Sequence, residues 1–262
     1  MASPYPITTQ LTVYFGDGAT FAYGTFVLDD PKFGLLGTGT LASTATGDKV
    51  VDVSDQCVKA TLGGGYNLLQ GEFQAATATF RIVDPNGDWN PNNPASPYYG
   101  LLTPNRKIRF SATYAGVGYY LFSGYITAYN YSYPKNQEIG YVDLVCTDAF
   151  RLLALAGITT VAGTSAGQTT SARINNILDQ VSFPASMRSI QTGSTTVQAD
   201  PATLRTSLAA IQNCAFSEQG AFYIDGAGNA TFKNRAFVSG AAGLPSTKFS
   251  NDGTGISYFN FN

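Results

Sequence analysis

The sequence predicts a mainly β protein. Strands of unequal length joined by hairpins favour a small β-barrel or sandwich domain (residues 1–153), and an α+β domain of helices and a hairpin follows it (residues 154–235). β-branched and aromatic runs recur between turn residues as far as residue 147. Apolar residues at helical spacing appear only after that point. Residues 236–262 are expected to begin a second barrel, or to supply a pairing strand, in a unit that this sequence leaves truncated.

Short strand-like runs fill the N-terminal part of the chain. Ile7 to Phe15 is rich in β-branched and aromatic residues, which pack well on a pleated surface. Gly16-Asp17-Gly18 is predicted to turn the chain after it. The other predictions before residue 66 are a strand (Phe21 to Leu28), an exposed loop (34–48), short strands (49–53 and 57–62) and a turn or bulge (Gly63-Gly64-Gly65).

A strand followed by a strong turn comes next. Phe73 to Val83 alternates between two residue sets, which predicts a strand with a distinct core face. The turn after it consists of Asp84, Pro85, Asn86, Gly87 and Asp88. The spacing of its acidic and amide residues resembles the start of a calcium loop, but such a loop needs Gly and Glu where Trp89 and Ala95 stand. A turn that ends the strand is the better interpretation.

The next region predicts a hairpin of long strands. Lys107 to Tyr114 and Tyr119 to Ser132 are strands joined by a turn at 115–118, and Ile139 to Cys146 returns after a turn at 134–137. Four tyrosines share one parity and predict an aromatic stripe that belongs to a core face, to a subunit interface, or less readily to a sugar-binding surface. They are Tyr125, Tyr129, Tyr131 and Tyr133.

Helix signals begin after residue 147. The predicted helices are 148–155 (capped by Thr147 or Asp148), 171–181 (capped by Ser171) and 200–213 (capped by Asp200, with Pro201 in its first turn). A small-residue linker is predicted at 159–170 between the first two. A hairpin of 221–224 and 229–232 follows, and 248–262 begins a further alternating strand.

Composition points to a protein that buries surface in an assembly. Charged residues make up only 12% of the chain, which has 17 Phe and 16 Tyr, and interfaces are enriched in aromatic residues and poor in charge. An ordinary Tyr-rich β protein is the alternative. The net charge of −2 and the lack of a basic stripe argue against an electrostatic nucleic-acid binder, although transient passage of DNA needs no such stripe. No signal peptide or membrane-spanning run is evident, so cytoplasmic synthesis is expected.

The residue types offer little catalytic chemistry. The chain has no histidine, which excludes Ser-His-Asp and Cys-His catalysis and zinc–histidine sites. Ser165 lies in a Gly-x-Ser-x-Gly pattern, but no apolar strand precedes it. The three cysteines are far apart in sequence and odd in number, which argues against a disulfide framework or a metal site. Their apolar surroundings are typical of small buried side chains. Carboxylates for glycoside hydrolysis exist, but nothing in the sequence brings two of them together: Asp29, Asp30, Glu72, Asp84 and Asp88. We expect no enzyme, cofactor or metal site.

In the order and spacing of its elements, the chain from about residue 50 onward resembles the tail-hub family of tailed bacteriophages. This family comprises baseplate hub and tail-associated proteins, also called minor tail proteins. The segments that carry the resemblance are the strand ending at Asp84-Pro85-Asn86-Gly87-Asp88, Ser96-Pro97-Tyr98, Pro104 to Phe110, Leu121 to Ile126, Leu144 to Leu153, the helix at 202–213 with Gly220 to Arg235, and Phe249 to Ile256.

The resemblance implies a structural virion protein of the tail tip that is assembled in the host cytoplasm. Such a hub is a ring, usually a homotrimer, with two tube-like barrels per subunit that continue the tail tube. It would serve genome delivery by letting DNA and tape-measure protein pass. Its partners would be the distal tail ring, the tape measure and tip or fibre proteins.

Two other functions remain open from the residues. A receptor- or carbohydrate-binding tail protein would use Tyr125, Tyr129 and Tyr131 as a stacking surface. A cell-wall hydrolase is the third hypothesis, and the absence of histidine argues against it.

Overall fold

A computed structural model describes residues 7–15, 50–67, 72–133 and 139–240. The fold is mainly β, as predicted, with one large antiparallel sheet followed by a smaller mixed unit. Several predictions lie outside the described residues. They are the turn at 16–18, the strand at 21–28, the loop at 34–48, the turn at 134–137, the strand at 248–262 and almost all of the unit at 236–262.

The large sheet contains seven strands. In chain order they are β1 (Ile7–Tyr14), β2 (Val50–Asp52), β3 (Cys57–Asn67), β4 (Glu72–Asp84), β5 (Lys107–Tyr114), β6 (Val117–Ser132) and β7 (Gly140–Thr147). They pair in the order β2-β1-β5-β6-β7-β4-β3, and every neighbouring pair is antiparallel. The predicted strand at 107–114 agrees to the residue.

This sheet curls round an interior. Its outer strands β2 and β3 are consecutive in the chain and are joined through a 3-10 turn, Ser54–Gln56. That turn is fixed to β1, because the Val53 N–H donates to the Leu11 carbonyl at 2.9 Å. The Phe80 ring on β4 lies 5.4 Å from the Phe110 ring on β5, although two strands separate them in the sheet order. Among the described strands no ladder joins β2 to β3, so the curl is open.

The interior of the curl is a buried apolar cluster that includes Phe80, Ile82 and Leu144, all fully buried. Phe15, Trp89 and Tyr98 close one end, with the ring of Tyr98 5.2 Å from each of the other two. The Trp89 indole N–H donates to Gln56 Oε1 at 3.3 Å, which satisfies its one donor. The loop that follows β4 therefore covers one mouth of the curled sheet.

The smaller unit follows β7. Its elements are α1 (Phe150–Leu155), β8 (Gly157–Ile158), β9 (Gln168–Thr169), α2 (Thr170–Gln180), β10 (Arg188–Ile190), β11 (Thr196–Val197), β12 (Arg205–Thr206), α3 (Ser207–Glu218), β13 (Ala221–Ile224), β14 (Ala230–Lys233) and α4 (Arg235–Val238). The hairpin β13–β14 matches its prediction closely. It lies in a three-stranded sheet of order β10-β14-β13.

The predicted helix at 200–213 is wrong at its start. The Asp200 carboxylate is used elsewhere, since it accepts hydrogen bonds from the Val161 N–H at 3.2 Å and from the Arg205 guanidinium. Helix α3 begins instead at Ser207, where the Thr206 hydroxyl accepts from the Ala209 N–H. Tertiary partners thus outcompete the local capping signal at Asp200.

The other two caps also differ from prediction. Thr169, not Ser171, caps α2 by accepting from the Ala172 N–H at 3.3 Å. The Ser171 hydroxyl accepts from the Gly193 N–H at 3.0 Å instead. Helix α1 begins at Phe150, and the Asp148 carboxylate accepts from its N–H at 3.0 Å, although Asp148 itself lies outside the helix.

Glu218 fixes the loop before β11. Its carboxylate is fully buried and accepts from the backbone N–H groups of Ser194 and Thr195 and from the hydroxyls of Ser194 and Thr170. Burial opposes the charge, but these hydrogen bonds outweigh it and lower the pKa of Glu218 to about 2. The carboxylate is therefore ionised at neutral pH and ties α3 to this loop.

A second buried cluster joins the smaller unit to the outside of the sheet. It contains Tyr14 and Tyr125 from the sheet together with Phe150, Ile211 and Phe222. Gly226 also approaches the sheet closely, and a Cβ there would lie 2.2 Å from the Tyr120 carbonyl oxygen. The proposed division at residue 153 stays a prediction, because this one cluster includes residues from both sides of it.

Candidate assembly surface

Strand β3 is exposed along nearly its whole length. It pairs with β4 on one side, and no described strand pairs with its other side. Every residue from 58 to 66 is exposed, including the large apolar side chains of Val58 (62%), Leu62 (44%) and Tyr66 (50%). A long apolar edge strand offers unpaired backbone groups as well as apolar surface to another chain. We call β3 the exposed edge.

The three glycines let the exposed edge continue where the sequence predicts its end. The pairing register shifts between Gly63 and Gly65, where Gly64 stands opposite two residues of β4, 75 and 76, so the extra residue lies on β4. Gly65 has φ +145°, and a Cβ on Gly64 would lie 3.0 Å from the Ala76 Cα. Of the two predicted roles, the turn is wrong, because β3 pairs with β4 on both sides of the glycines. The strand therefore runs to Asn67 instead of ending at Leu62.

A second exposed apolar area lies at the ends of β1, β5 and β6. Tyr114 on β5 pairs with Ile7 on β1 and with Val117 on β6. The two-residue turn Ala115-Gly116 joins β5 to β6, and both of its residues have positive φ. The turn is shorter than predicted, because β6 already begins at Val117. We call this area the hairpin patch, and its exposed side chains are Ile7, Tyr114, Val117, Tyr119 and Leu121.

A slot separates β1 from the exposed edge. It is a cavity of about 200 Å³ whose walls come from the two strands, with Phe110 also lining it. The β1 wall contains Thr9 and Leu11, and the β3 wall runs from Cys57 to Ala60. The part of β1 that β2 does not cover, which includes Thr9 and Leu11, therefore faces β3 across this slot.

The predicted turn residues lie at the end of β4. The Asp84 carboxylate is buried and accepts hydrogen bonds from the Asp88 N–H at 2.7 Å, the Trp89 N–H at 3.1 Å and the Tyr133 hydroxyl at 2.8 Å. Pro85 and Asn86 are exposed, and Gly87 has φ +70°. Both Asp84 oxygens accept from protein donors, four and five residues along the chain and on Tyr133, so the carboxylate closes the loop that follows β4.

The four tyrosines do not form one stripe, because a register shift between Ile126 and Ala128 interrupts the alternation of β6. Tyr125 is 2% exposed and packs in the second cluster, whereas Tyr129 packs against the interior cluster. The Tyr129 hydroxyl donates to the Thr103 carbonyl, and its ring stacks 6.4 Å from that of Tyr131.

Tyr131 and Tyr133 are the most exposed of the four, at 36% and 48%. Partial burial and the negative charge of Asp84 raise the pKa of Tyr131 to about 12, so its hydroxyl is neutral at ordinary pH. A role for these aromatic residues at an interface stays a prediction.

The catalytic candidates do not come together in the described residues. The Ser165 carbonyl accepts from Arg173, while Asp29 and Asp30 lie outside the described residues, as does the side chain of Glu72. The described residues contain no group of three or more Cys, Asp or Glu placed to hold a metal. Burial raises the pKa of Cys214 to about 11, which disfavours a nucleophilic thiolate. None of the described helices has the length and apolar character needed to cross a membrane.

Sequence reasoning missed the exposed edge and the hairpin patch. Val58, Leu62 and Tyr66 were visible as apolar residues, but the strand was predicted to stop at the glycines. The apolar residues of the hairpin patch would fit a buried core as well as an exposed surface. Exposure depends on which layers cover a strand, and the local pattern carries no signal for that.

No family model and no curated protein matches the chain. Among solved structures it is similar to a tail protein from Neisseria meningitidis MC58, with 12% identity and a TM-score of 0.44, covering 71% of this chain and 48% of that one. It is also similar to the 43 kDa tail protein of prophage MuSo2 from Shewanella oneidensis, with 13% identity and a TM-score of 0.43, covering 72% and 53%.

A third similar structure is a Francisella PdpA–VgrG complex, with 6% identity and a TM-score of 0.44, covering 92% of this chain and 31% of that one. The chain spans about half the length of the two tail proteins. At these values of identity and TM-score the similarities do not assign a family.

Proposed function

We propose that the protein is a structural component of a phage tail tip that forms a hub ring, as a homotrimer, and has no enzymatic activity. The observation that carries this proposal is the exposed edge, a long strand with solvent on both faces. A strand of this kind is suited to burial against another chain. The ordered motifs that resemble the tail-hub family supply the identity of the assembly.

In the proposed ring, neighbouring subunits complete the tube-like barrel. The interior cluster is already formed, while the slot beside β1 and the exposed edge remain open. Contact with the next subunit would cover Val58, Leu62 and Tyr66 and remove them from water. The ring would continue or close the tail tube and let DNA and tape-measure protein pass during genome delivery.

The low charge of the chain agrees with this arrangement. Charged residues make up 12% of the sequence, and Lys59 is the one charged residue in β3. Edge strands of monomeric proteins are commonly protected by several charges or by proline. The exposed edge has little of this protection, which favours assembly with a neighbour. Distal tail, tape-measure and fibre proteins are the further partners that we propose, at a tail tip built in the host cytoplasm.

The test replaces one leucine in the exposed edge and one elsewhere. Leu62→Asp places a charge on the exposed edge, and Leu204→Asp is the matched control at another exposed leucine (80%). We expect Leu62→Asp to lower ring formation at least about tenfold, since burying an unpaired charge is costly, while Leu204→Asp forms rings like the wild type. Light scattering and particle-averaged electron micrographs measure this.

Two outcomes would contradict the proposal. One is a Leu62→Asp variant that assembles as well as the wild type. The other is a wild-type protein that stays monomeric at high concentration and gives no ring in images of particles.

A receptor- or carbohydrate-binding role has less support. Tyr125 is buried and the Tyr129 hydroxyl is bonded to the backbone, so the stacking surface would reduce to Tyr131 and Tyr133. Glycan-array binding that is lost in Tyr131→Ala would favour that role over the ring.

A further inference from the structure

An aromatic groove lies between the sheet and the smaller unit, well away from the slot. It is a cavity of about 1010 Å³ with walls from the end of β3, the start of β4, the end of α3, the hairpin β13–β14 and α4. We call it the aromatic groove. Its principal lining residues are Tyr66, Phe73, Phe216, Tyr223, Phe237 and Val238.

The walls of the aromatic groove are organised by ring contacts. The Phe73 ring lies 5.3 Å from Tyr66 and 4.8 Å from Tyr223, and this links the sheet to the smaller unit. On the other wall the Lys233 ammonium lies 4.8 Å from the centre of the Phe237 ring. These contacts give the groove a defined shape without filling it.

Large apolar side chains at the rim remain in contact with water. Phe216 is 79% exposed and Val238 is 50% exposed, and Tyr66 is also exposed. Helix α3 ends at Glu218, two residues after Phe216. Gln219 adopts a left-handed conformation with φ +56°, and the chain then turns into β13. Contiguous apolar surface of this kind is typical of a binding site.

The chain itself supplies a suitable occupant. The described residues end at Gly240, two positions after Val238 in the groove wall. The segment 241–262 that follows contains two charged residues, Lys248 and Asp252. Its larger apolar residues are Leu244, Phe249, Ile256, Tyr258, Phe259 and Phe261.

We propose that the aromatic groove binds the segment 241–262 of the same chain. At ~3.3 Å per extended residue the segment can cross the groove, and its attachment beside the groove gives it a high effective concentration there. Strand β13 lies at the outside of its three-stranded sheet and lines the groove through Ala221 and Tyr223, so an added strand could also bond to its backbone. This inference does not rest on the proposed ring.

Disulfide trapping in the 262-residue chain tests the proposal. Cys57→Ser removes the half-buried thiol, and Ser217→Cys places one in the groove wall. It is combined in turn with Ser246→Cys, Ser250→Cys or Ser257→Cys. The matched control replaces Ser217→Cys by Asn92→Cys, which is exposed beyond the opposite end of the long strand β4.

We expect at least one groove pair to form an intramolecular disulfide about tenfold more than its Asn92 control, a preference that corresponds to tethered binding. Peptide mapping of the oxidised protein at low micromolar concentration measures the yield. Equal yields at the two sites, the absence of a disulfide, or a mainly intermolecular disulfide would overturn the proposal, and the last outcome would identify a second copy as the occupant.

Phe216→Asp provides an independent check. Because Phe216 is mostly exposed, its replacement should leave the thermal unfolding midpoint nearly unchanged while lowering the intramolecular yield about tenfold, since a charge then lines the apolar groove. A yield that is unaffected in this variant would also overturn the proposal.

Discussion

Strand β4 has two neighbours that differ completely in burial. On one side β7 alternates between buried and half-buried residues along its whole length, with Val142, Leu144 and Cys146 inside the curled sheet. On the other side β3 is exposed from residue 58 to 66. Both strands contain Val, Leu and Thr, and both are held to β4 by antiparallel pairing. The difference shows that backbone pairing can position a strand, while covering layers decide how much it stabilises the fold.

The largest effect is expected in the buried neighbour. Leu144→Ala should lower the free energy of unfolding by about 3 kcal/mol, because the fully buried side chain leaves a cavity in the interior cluster. Urea denaturation followed by tryptophan fluorescence measures the change, since Trp89 closes one end of the same interior. A loss below about 1 kcal/mol, the scale of a well-relaxed substitution, would show that the interior is loosely packed.

The second prediction concerns Asp148, where β7 leaves the sheet. Its buried carboxylate accepts from the Ala76 N–H at 2.8 Å and from the Phe150 N–H, yet burial raises its pKa from 3.8 to about 6. The pKa of Asp148 is higher in the folded chain than in the unfolded chain, so the protonated carboxyl group favours the folded state. This contribution to folding stability is complete below pH 3.8 and is lost as the pH rises through about 6.

Between pH 4 and 7 the free energy of unfolding of the wild type should therefore fall by about 2 kcal/mol relative to that of Asp148→Asn, whose side chain does not titrate. Parallel unfolding curves of the two proteins at pH 4 to 7 give the difference. A difference that is constant with pH would mean that Asp148 does not have a raised pKa.

A smaller effect is expected for the ion pair between β4 and β7. Arg81 forms two 2.8 Å hydrogen bonds to the Asp143 carboxylate and lies 4.2 Å from the centre of the Tyr141 ring. Because the Arg81 side chain is 40% exposed and exposed ion pairs contribute little, Arg81→Gln should lower the free energy of unfolding only slightly, by less than the pH effect at Asp148. The cost should shrink in high salt, and Arg151→Gln at an exposed arginine of α1 serves as the control. A larger, salt-independent loss would indicate packing of the arginine stem.

The smallest effect is expected in the exposed neighbour. Leu62→Ala should change the unfolding free energy of the isolated chain by under about 0.5 kcal/mol, because a surface side chain leaves no cavity. The same denaturation experiment makes it the matched control for Leu144→Ala. If Leu62→Ala were as damaging as Leu144→Ala, the exposed edge would already be covered in the isolated chain.

Sequence patterns predicted the elements whose geometry depends on residues close together in the chain. The strand at 107–114 follows from alternation, although the turn after it is shorter than the predicted 115–118, and the hairpin at 221–233 follows from Asp225-Gly226. The bulges were not predictable in this way. The shift in β6 depends on its pairing with β7, so Tyr125 and Tyr129 separate although their sequence spacing is even.

The candidate site was harder to predict than the fold. Asp200 has strong capping features, but Arg205 and Val161 bind it once the chain has folded. Val58 and Leu62 have the residue types of a buried strand, and their exposure reflects the absence of a covering layer among the described residues. Such properties arise from tertiary contacts, which no short pattern encodes.

The short connection between β2 and β3 limits how far the sheet can open. Asp52 and Cys57 are five positions apart, so the chain between them spans at most ~17 Å at ~3.5 Å per residue. Neighbouring strands lie ~4.8 Å apart, so this end of the slot could admit no more than about two additional strands. Farther along β3, toward Asn67, none of the described segments forms such a tether. The gap beside β3 is therefore limited in width near Cys57 and less limited toward Asn67. A strand inserted beside β3 would have to enter from the Asn67 end.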